Sequence, residues 1–142
     1  YSGSRGLGDV YKRQDDTDGH VDNISRFVSK NTVVIAAESN ISDPNHEILK
    51  SNRNVLKKKF NIVELHMPRK IEYQGQRLPA SYANFYICNS HIIVPTYRDT
   101  NDDRAIETLK DMFPKRKVTG LDSIELIWGL GSFHCLTQQQ PF

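Results

Sequence analysis

One pattern of secondary-structure signals occurs twice along this chain, about 58 residues apart. Each occurrence predicts two short strands, an amphipathic helix and a third strand, because apolar or β-branched runs alternate with an apolar face at helical spacing. The predicted segments are 26–28, 32–37, 43–60 and 62–66 in the first unit, and 84–88, 91–95, 102–113 and 117–121 in the second. Tandem units of this kind bury each other's faces, so the sequence predicts a repetitive α/β architecture.

The ends of both helices are marked in the sequence. In the first unit Asp43 is the predicted N-cap and Pro44 the first helical residue. The second helix is predicted to begin at Asp102 and to end before Pro114, because a proline disfavours helical backbone in the residue that precedes it. One apolar face is predicted for the first helix, and it consists of Ile48, Leu49, Val55 and Leu56.

The two units are joined by a long link, residues 68–81, which contains a glycine, two prolines and several polar side chains. A connection of this length inside a compact domain is usually functional. Two interpretations remain open from the sequence, a lid over a site and a solvated surface loop.

Composition excludes several classes of partner. Residues 1–14 resemble the translated adapter of a sequencing library, so we exclude them from fold reasoning and treat residues 15–142 as the protein. Acidic and basic side chains are then equal in number, which gives no electrostatic case for nucleic acid or an acidic membrane. No apolar run reaches the roughly 18–20 residues that span a bilayer. Two cysteines do not form a disulfide framework, which predicts a reducing, cytoplasmic location.

Cys135 is the predicted nucleophile. It follows Gly129, Gly131 and Ser132, so the backbone can turn sharply there, and polar residues follow it, which predicts an exposed thiol. Such a thiol needs activation, since an unperturbed cysteine is mostly protonated at neutral pH. Cys88 is instead predicted to be a small buried hydrophobe, because it lies among apolar residues.

His20 and Asp22 are the predicted partners of that thiol. If residues 19–22 are extended, both side chains project to the same face, where an imidazole can transfer protons and a carboxylate can hold two N–H groups of a planar cation. The ordinary alternatives are a surface ion pair between Asp22 and Arg26 and a structural role for His20. A metal site is a further alternative, with His20, Asp22, His134 and Cys135 as potential ligands, although close ligand pairs are absent from the sequence.

Three motifs carry a resemblance to a known family. They are residues 16–27 (Asp-Thr-Asp-Gly-His-Val-Asp-Asn-Ile-Ser-Arg-Phe), residues 78–87 (Leu-Pro-Ala-Ser-Tyr-Ala-Asn-Phe-Tyr-Ile) and residues 131–139 (Gly-Ser-Phe-His-Cys-Leu-Thr-Gln-Gln). With them the chain resembles the C-terminal part of the agmatine deiminases, a family that includes bacterial peptidylarginine deiminase-like proteins. The resemblance implies that residues 15–142 are the C-terminal part of a single catalytic domain with the pentein fold. That fold is a pseudo-fivefold α/β propeller, of which the chain would form about two β-β-α-β blades.

The resemblance also implies a reaction, the hydrolysis of agmatine to N-carbamoylputrescine and ammonia in putrescine biosynthesis, without metal or organic cofactor. Cys135 would be the nucleophile, His20 the general acid and base, and Asp22 a substrate-binding carboxylate. The implied partner is a small guanidine, with neither nucleic acid nor membrane, and homo-oligomerisation of the full-length enzyme stays open.

Two departures accompany the resemblance. Leu130 occupies a position where relatives usually carry glycine, an exchange expected to matter little because Gly129 and Gly131 remain. The amino-terminal blades, with further substrate-holding carboxylates, are absent, so the fragment alone is expected to be inactive and to expose apolar faces. Peptidyl-arginine deimination, amidino transfer, a non-catalytic propeller and a metal-binding protein are the remaining alternatives.

Overall fold

A computed structural model describes residues 20–141 of the chain. The predicted adapter-derived leader, residues 1–14, and the first part of the first motif, residues 16–19, lie outside the described residues. In chain order the elements are α1 (Val21–Ile24), β1 (Ser25–Phe27), β2 (Thr32–Ala37), α2 (Asn45–Leu56), β3 (Asn61–His66), β4 (Glu72–Tyr73), β5 (Gln76–Arg77), β6 (Tyr86–Ile87), β7 (His91–Thr96), α3 (Asp102–Met112), β8 (Lys117–Asp122) and a 3₁₀ helix (Leu126–Gly129).

Two three-stranded sheets repeat one topology, as the sequence predicts. In the first sheet β1 pairs antiparallel with β2, and β2 pairs parallel with β3. In the second sheet β6 pairs antiparallel with β7, and β7 pairs parallel with β8. Because parallel neighbours require a crossover connection, each unit places a helix between its last two strands. The predicted tandem of β-β-α-β units is therefore confirmed.

Strand β6 is shorter than the predicted segment 84–88. The main chain of Asn84 is used elsewhere, since its N–H donates to the Ser81 carbonyl at 3.3 Å and its carbonyl accepts from the His134 N–H at 3.2 Å. Because of these two bonds, the backbone groups of Asn84 do not pair with a neighbouring strand. Residues 81–85 consequently form a buried segment without regular structure.

Helix α2 buries only one edge of its predicted apolar face. Leu49 is buried, whereas Ile48 is 40% and Val55 63% exposed. The prediction that all four apolar side chains face the interior is thus wrong for Ile48 and Val55. The helix also begins one residue later than predicted, with Pro44 as the N-cap and Asp43 Oδ1 accepting a hydrogen bond from the Asn45 N–H at 2.9 Å.

One hydrophobic core connects the two units. Val34 and Leu65 of the first sheet belong to the same buried cluster as Tyr82 and Phe85 and the apolar residues of β7 and α3. Gly120 of β8 allows α3 to lie close to its sheet, because a Cβ at this position would come within 2.7 Å of Ile106. Among residues 20–141, no helix is long and apolar enough to cross a membrane.

The link between the units is structured over part of its length. Residues 72–77 form a small antiparallel hairpin, and residues 77–81 are buried, so a purely solvated loop is wrong for this part. Arg77 Nη1 donates to Asp43 Oδ1 at 2.8 Å and to Oδ2 at 2.9 Å, with both side chains about nine-tenths buried. Burial raises the pKa of Asp43, but the hydrogen bonds from Arg77 and from the Asn45 N–H, together with the charges of Arg77 and Lys70, outweigh it and hold the pKa below its usual value. The hairpin is thereby fastened to the start of α2.

This buried ion pair gives the first prediction. Arg77→Met leaves the Asp43 carboxylate buried without its cation, and we expect the free energy of unfolding to fall by about 3 kcal/mol in urea denaturation at pH 7. The control is Lys110→Met, which removes an exposed partner of Glu107 and should cost at most about 0.5 kcal/mol. Equal losses from the two variants would contradict the assignment of Arg77 as a structural anchor.

Candidate active site

Cys135 lies in a short turn that follows the 3₁₀ helix. The turn is closed by a hydrogen bond from the Leu136 N–H to the Ser132 carbonyl at 3.0 Å. Cys135 is exposed, as the sequence predicts, and Cys88 is half-buried rather than fully buried. The exposed thiol is therefore the cysteine that a ligand can reach directly.

Gly131 lies directly beneath the nucleophile candidate. A Cβ at Gly131 would come within 2.5 Å of Cys135 Cβ and 3.0 Å of Sγ, whereas a Cβ at Gly129 would meet nothing within 4 Å. Neither glycine has a positive φ. The residue with left-handed backbone is Leu130, at φ 66° and ψ 25°. The expectation that the exchange at Leu130 matters little is thus not supported by the backbone, because a non-glycine residue is disfavoured in this region.

Asp22 is in contact with Cys135, although 113 residues separate them in the chain. Asp22 Oδ2 accepts hydrogen bonds from Cys135 Sγ at 3.1 Å and from His134 Nδ1 at 2.8 Å. The backbone conformation around Asp22 differs from the prediction, because residues 21–24 form one turn of helix rather than an extended segment. Asp22 is mostly buried, with 16% of its side chain exposed, so one carboxylate oxygen is shared by two donors at the edge of the core.

His20 stands immediately before this helical turn. Its backbone carbonyl accepts a hydrogen bond from the Asn23 N–H at 3.0 Å, and its side chain is exposed. The charge of a protonated His20 is close enough to lower the pKa of Asp22. Within residues 20–141 its ring makes no hydrogen bond with Asp22 or Cys135.

Arg26 does not form the surface pair with Asp22 that was the alternative to a site role for this carboxylate. Its Nη1 donates to the carbonyl oxygens of Phe85 at 2.7 Å and Ala83 at 3.2 Å. The guanidinium also lies over the Phe85 ring, with 4.7 Å between Cζ and the ring centroid. Burial lowers the pKa of Arg26, and the negative charge of Asp22 partly opposes this effect. Arg26 thus fastens β1 to the segment that carries Asn84, and Asp22 stays available to the site.

The electrostatics of the pair favour a neutral thiol beside a charged carboxylate. Burial raises the pKa of Cys135, and the hydrogen bond to Asp22 raises it further, against a smaller opposing effect of a hydrogen bond from Asn84. Burial also raises the pKa of Asp22, but hydrogen bonds from His134 and Cys135 outweigh it and leave the pKa below its usual value. The proton therefore resides on sulfur and the negative charge on Asp22.

Two residues of the site were given no role in the predicted reaction: His134, named only as a potential ligand of the metal alternative, and Asn84. His134 precedes the predicted nucleophile, and only its contact with Asp22 reveals its place. Asn84 is completely buried and contacts the sulfur, with 3.0 Å between Nδ2 and Cys135 Sγ. A signal for Asn84 does exist in the sequence, because an amide within an apolar run must find hydrogen-bond partners when it is buried.

The alternative of a metal site is not supported within residues 20–141. In the part of the chain that the structure describes, no group of three or more His, Cys, Asp or Glu side chains could hold a metal ion. Asp22 instead accepts hydrogen bonds from His134 and Cys135.

The tandem α/β units and the contact between a thiol and a carboxylate are features of a repetitive enzyme domain with a cysteine in its site. The chain belongs to the Porphyromonas-type peptidyl-arginine deiminase family, whose sequence model matches residues 7–141. A presumed agmatine deiminase of Mycoplasma capricolum is 37% identical over 151 aligned residues, which cover 89% of this chain and 42% of the relative. The chain thus spans less than half the length of the curated relatives it matches.

Solved structures agree with this membership. A cysteine-to-serine variant of C. jejuni agmatine deiminase with substrate bound superposes with a TM-score of 0.82 at 36% identity, covering 86% of this chain and 37% of that one. A presumed arginine deiminase from Porphyromonas gingivalis gives a TM-score of 0.86 at 37% identity, covering 90% of this chain and 40% of that one. The fold is therefore a partial pentein, and its two β-β-α-β units correspond to about two of five blades.

The close approach of Gly131 and Cys135 gives the second prediction. Gly131→Ala forces a methyl group against Cys135, and we expect overpacking to lower the free energy of unfolding by about 1–3 kcal/mol in urea denaturation. Gly129→Ala is the matched control, because the space beside Gly129 is open, and it should leave stability unchanged or slightly higher. A harmless Gly131→Ala would mean that the turn is not closely packed.

Proposed function

We propose that the chain is the C-terminal part of an agmatine deiminase, which hydrolyses the guanidine group of agmatine to N-carbamoylputrescine and ammonia. The observation that carries this proposal is the 3.1 Å contact between Cys135 Sγ and Asp22 Oδ2, at residues of the motifs that define the resemblance. The relatives named as agmatine deiminases support the same activity. The product is one hydrolysis away from putrescine, so we assign the reaction to putrescine biosynthesis in the cytoplasm.

Binding of the substrate begins with Asp22. A planar guanidinium offers pairs of parallel N–H groups, and a carboxylate accepts two of them in a fork-like arrangement. This carboxylate accepts hydrogen bonds from His134 and Cys135. A guanidinium that takes over Asp22 brings its positive charge next to the sulfur, and this charge favours loss of the thiol proton.

The chemistry then proceeds through a covalent intermediate. The Cys135 thiol passes its proton to His20, and the thiolate attacks the guanidinium carbon and forms a C–S bond. Ammonia then leaves with that proton from His20. His20 next takes a proton from water, whose oxygen attacks the same carbon. The C–S bond breaks as the new hydroxyl group becomes a carbonyl and releases its proton to solvent, so Cys135 leaves as thiolate and the product is the ureido compound. The exposed position of His20 at the border of the site is compatible with both proton transfers.

We propose that residues 20–141 alone do not turn over substrate. The chain covers 42% of the M. capricolum relative, and the remaining blades of a pentein would supply the rest of the substrate cavity. Large apolar side chains are exposed here, including Val21 at 70% and Ile41 at 80%. Such side chains are suited to contacts with neighbouring blades.

The third prediction concerns the nucleophile and its carboxylate in the full-length protein. Cys135→Ala should reduce ammonia release from agmatine below detection, because the covalent intermediate forms on the Cys135 sulfur. Asp22→Asn removes a charged hydrogen-bond acceptor and should lower kcat/KM by roughly 10–100-fold. Cys88→Ala is the control thiol and should retain activity. Undiminished ammonia release by Cys135→Ala would refute the proposal.

A second candidate substrate is peptidyl-arginine, which the family description itself favours. The fourth prediction is that kcat/KM for agmatine exceeds that for free arginine and for a peptide ending in arginine by at least about tenfold, a difference of about 1.4 kcal/mol in transition-state binding. The measurement is ammonia release from each of the three at equal concentration. A preference for the peptide would make peptidylarginine deimination the function.

A further inference from the structure

We propose that Asn84 is the positioning residue of the nucleophile: its side-chain amide fixes the turn that carries Cys135 and donates a hydrogen bond to the sulfur. The inference rests on the proposed function of Cys135 and extends it to a residue without a predicted role. Asn84 lies in the irregular segment before β6, where no part of it is exposed to solvent.

The oxygen of the amide holds the turn. Asn84 Oδ1 accepts hydrogen bonds from three backbone N–H groups, those of His134 at 3.1 Å, Ser132 at 3.3 Å and Cys135 at 3.3 Å. It also accepts one from Ser132 Oγ at 2.9 Å. Backbone N–H groups that converge on one point form the kind of concavity that binds anions, and here a neutral amide oxygen occupies it.

The nitrogen of the amide reaches the reactive atom. Asn84 Nδ2 donates to Cys135 Sγ at 3.0 Å and to Asn23 Oδ1 at 2.9 Å. The orientation of the amide is determined by this arrangement, because the reversed amide would point N–H groups at the three backbone donors. One side chain thus joins the Cys135 turn to the residue that follows Asp22.

The hydrogen bond to sulfur acts against the other influences on the thiol. Burial and the negative charge of Asp22 both disfavour the thiolate, whereas a donor aimed at sulfur favours it. Since the bond strengthens as charge develops on sulfur, it assists ionisation when substrate displaces the thiol from Asp22. Asn84 is buried behind the sulfur, so it acts through Cys135.

The two functions of the amide can be separated by Asn84→Asp. Aspartate keeps an oxygen for the backbone N–H groups of the turn, and several such donors keep a carboxylate ionised. It lacks the N–H group for sulfur and adds a negative charge beside it. The turn should therefore persist while the thiolate is destabilised.

The fifth prediction is measured on the full-length protein without substrate, as the pH dependence of Cys135 alkylation by iodoacetamide. Asn84→Asp should move the midpoint upward by at least about one pH unit, which is a tenfold smaller thiolate fraction at neutral pH. For agmatine, kcat at pH 7 should fall by about tenfold, with KM changed by less than about twofold.

The matched control is Asn101→Asp, which makes the same exchange at a half-buried asparagine whose Nδ2 donates to the Met67 carbonyl at 2.9 Å. Its alkylation midpoint should equal that of the wild type. An Asn84→Asp profile that overlays the wild type, or an equal shift in Asn101→Asp, would overturn the inference. Because alkylation requires no turnover, a shifted midpoint without ammonia release would refute the proposed function and leave the role of Asn84 intact.

A second measurement keeps the inference testable if Asn84→Asp does not fold. In wild-type protein labelled with ¹⁵N-asparagine, the Asn84 side-chain N–H resonances should shift as Cys135 ionises, and this shift should be absent in Cys135→Ala. Resonances that do not respond to the ionisation of Cys135 would contradict a hydrogen bond to sulfur.

Discussion

The amide oxygen of Asn84 is the one acceptor on which the geometry of the candidate site depends. The turn around Cys135 lies outside the sheets and helices, so its backbone N–H groups have no partners in a helix or a strand ladder. They converge instead on Asn84 Oδ1, which is 48 residues away from Ser132 in the chain. Asn84 is in turn held between Tyr82 and Phe85, both in the core shared by the two units. The packing of the core therefore determines the position of Asn84, and Asn84 in turn determines the position of the Cys135 sulfur.

In this arrangement the Cys135 thiol is favoured in its protonated state. The negative charge of Asp22 raises the pKa of Cys135, and the hydrogen bond from the thiol lowers the pKa of Asp22. A thiol in this state reacts slowly with oxidants and electrophiles, because the thiolate is the reactive form. In the function proposed above, a guanidinium bound by Asp22 would reverse the balance, since it would replace the thiol as donor and place a positive charge near sulfur. Activation of the thiol would then depend on the charge of the ligand.

Local patterns in the sequence predicted most of the fold, whereas contacts between distant segments were predicted only in part. The bounds of β2 and the start of α3 match the expected segments, because a short apolar run and acidic residues at a helix start are signals that act over a few positions. The exposure of Val55 was not predicted, because the spacing of apolar residues identifies one face of the helix but not which part of that face packs against the sheet. The meeting of Asp22 with Cys135 was anticipated from the motifs. The role of Asn84 was not, because its partners lie 48 to 61 residues away along the chain.

Leu130 illustrates how the same interaction supports a strained backbone. Its φ of 66° is a conformation that glycine adopts freely and that costs a leucine of order 1–3 kcal/mol. Glycines stand on both sides, yet neither uses its conformational freedom, and Gly131 is required for space beneath Cys135. The strained residue lies between the 3₁₀ helix, to which its N–H donates through the Ile127 carbonyl at 2.9 Å, and the turn bound by Asn84. Because both ends are fixed by hydrogen bonds, the chain at residue 130 must reverse within one residue whatever side chain it carries. The hydrogen bonds to Asn84 therefore offset the strain, and the turn keeps its shape with leucine where a glycine would be less costly.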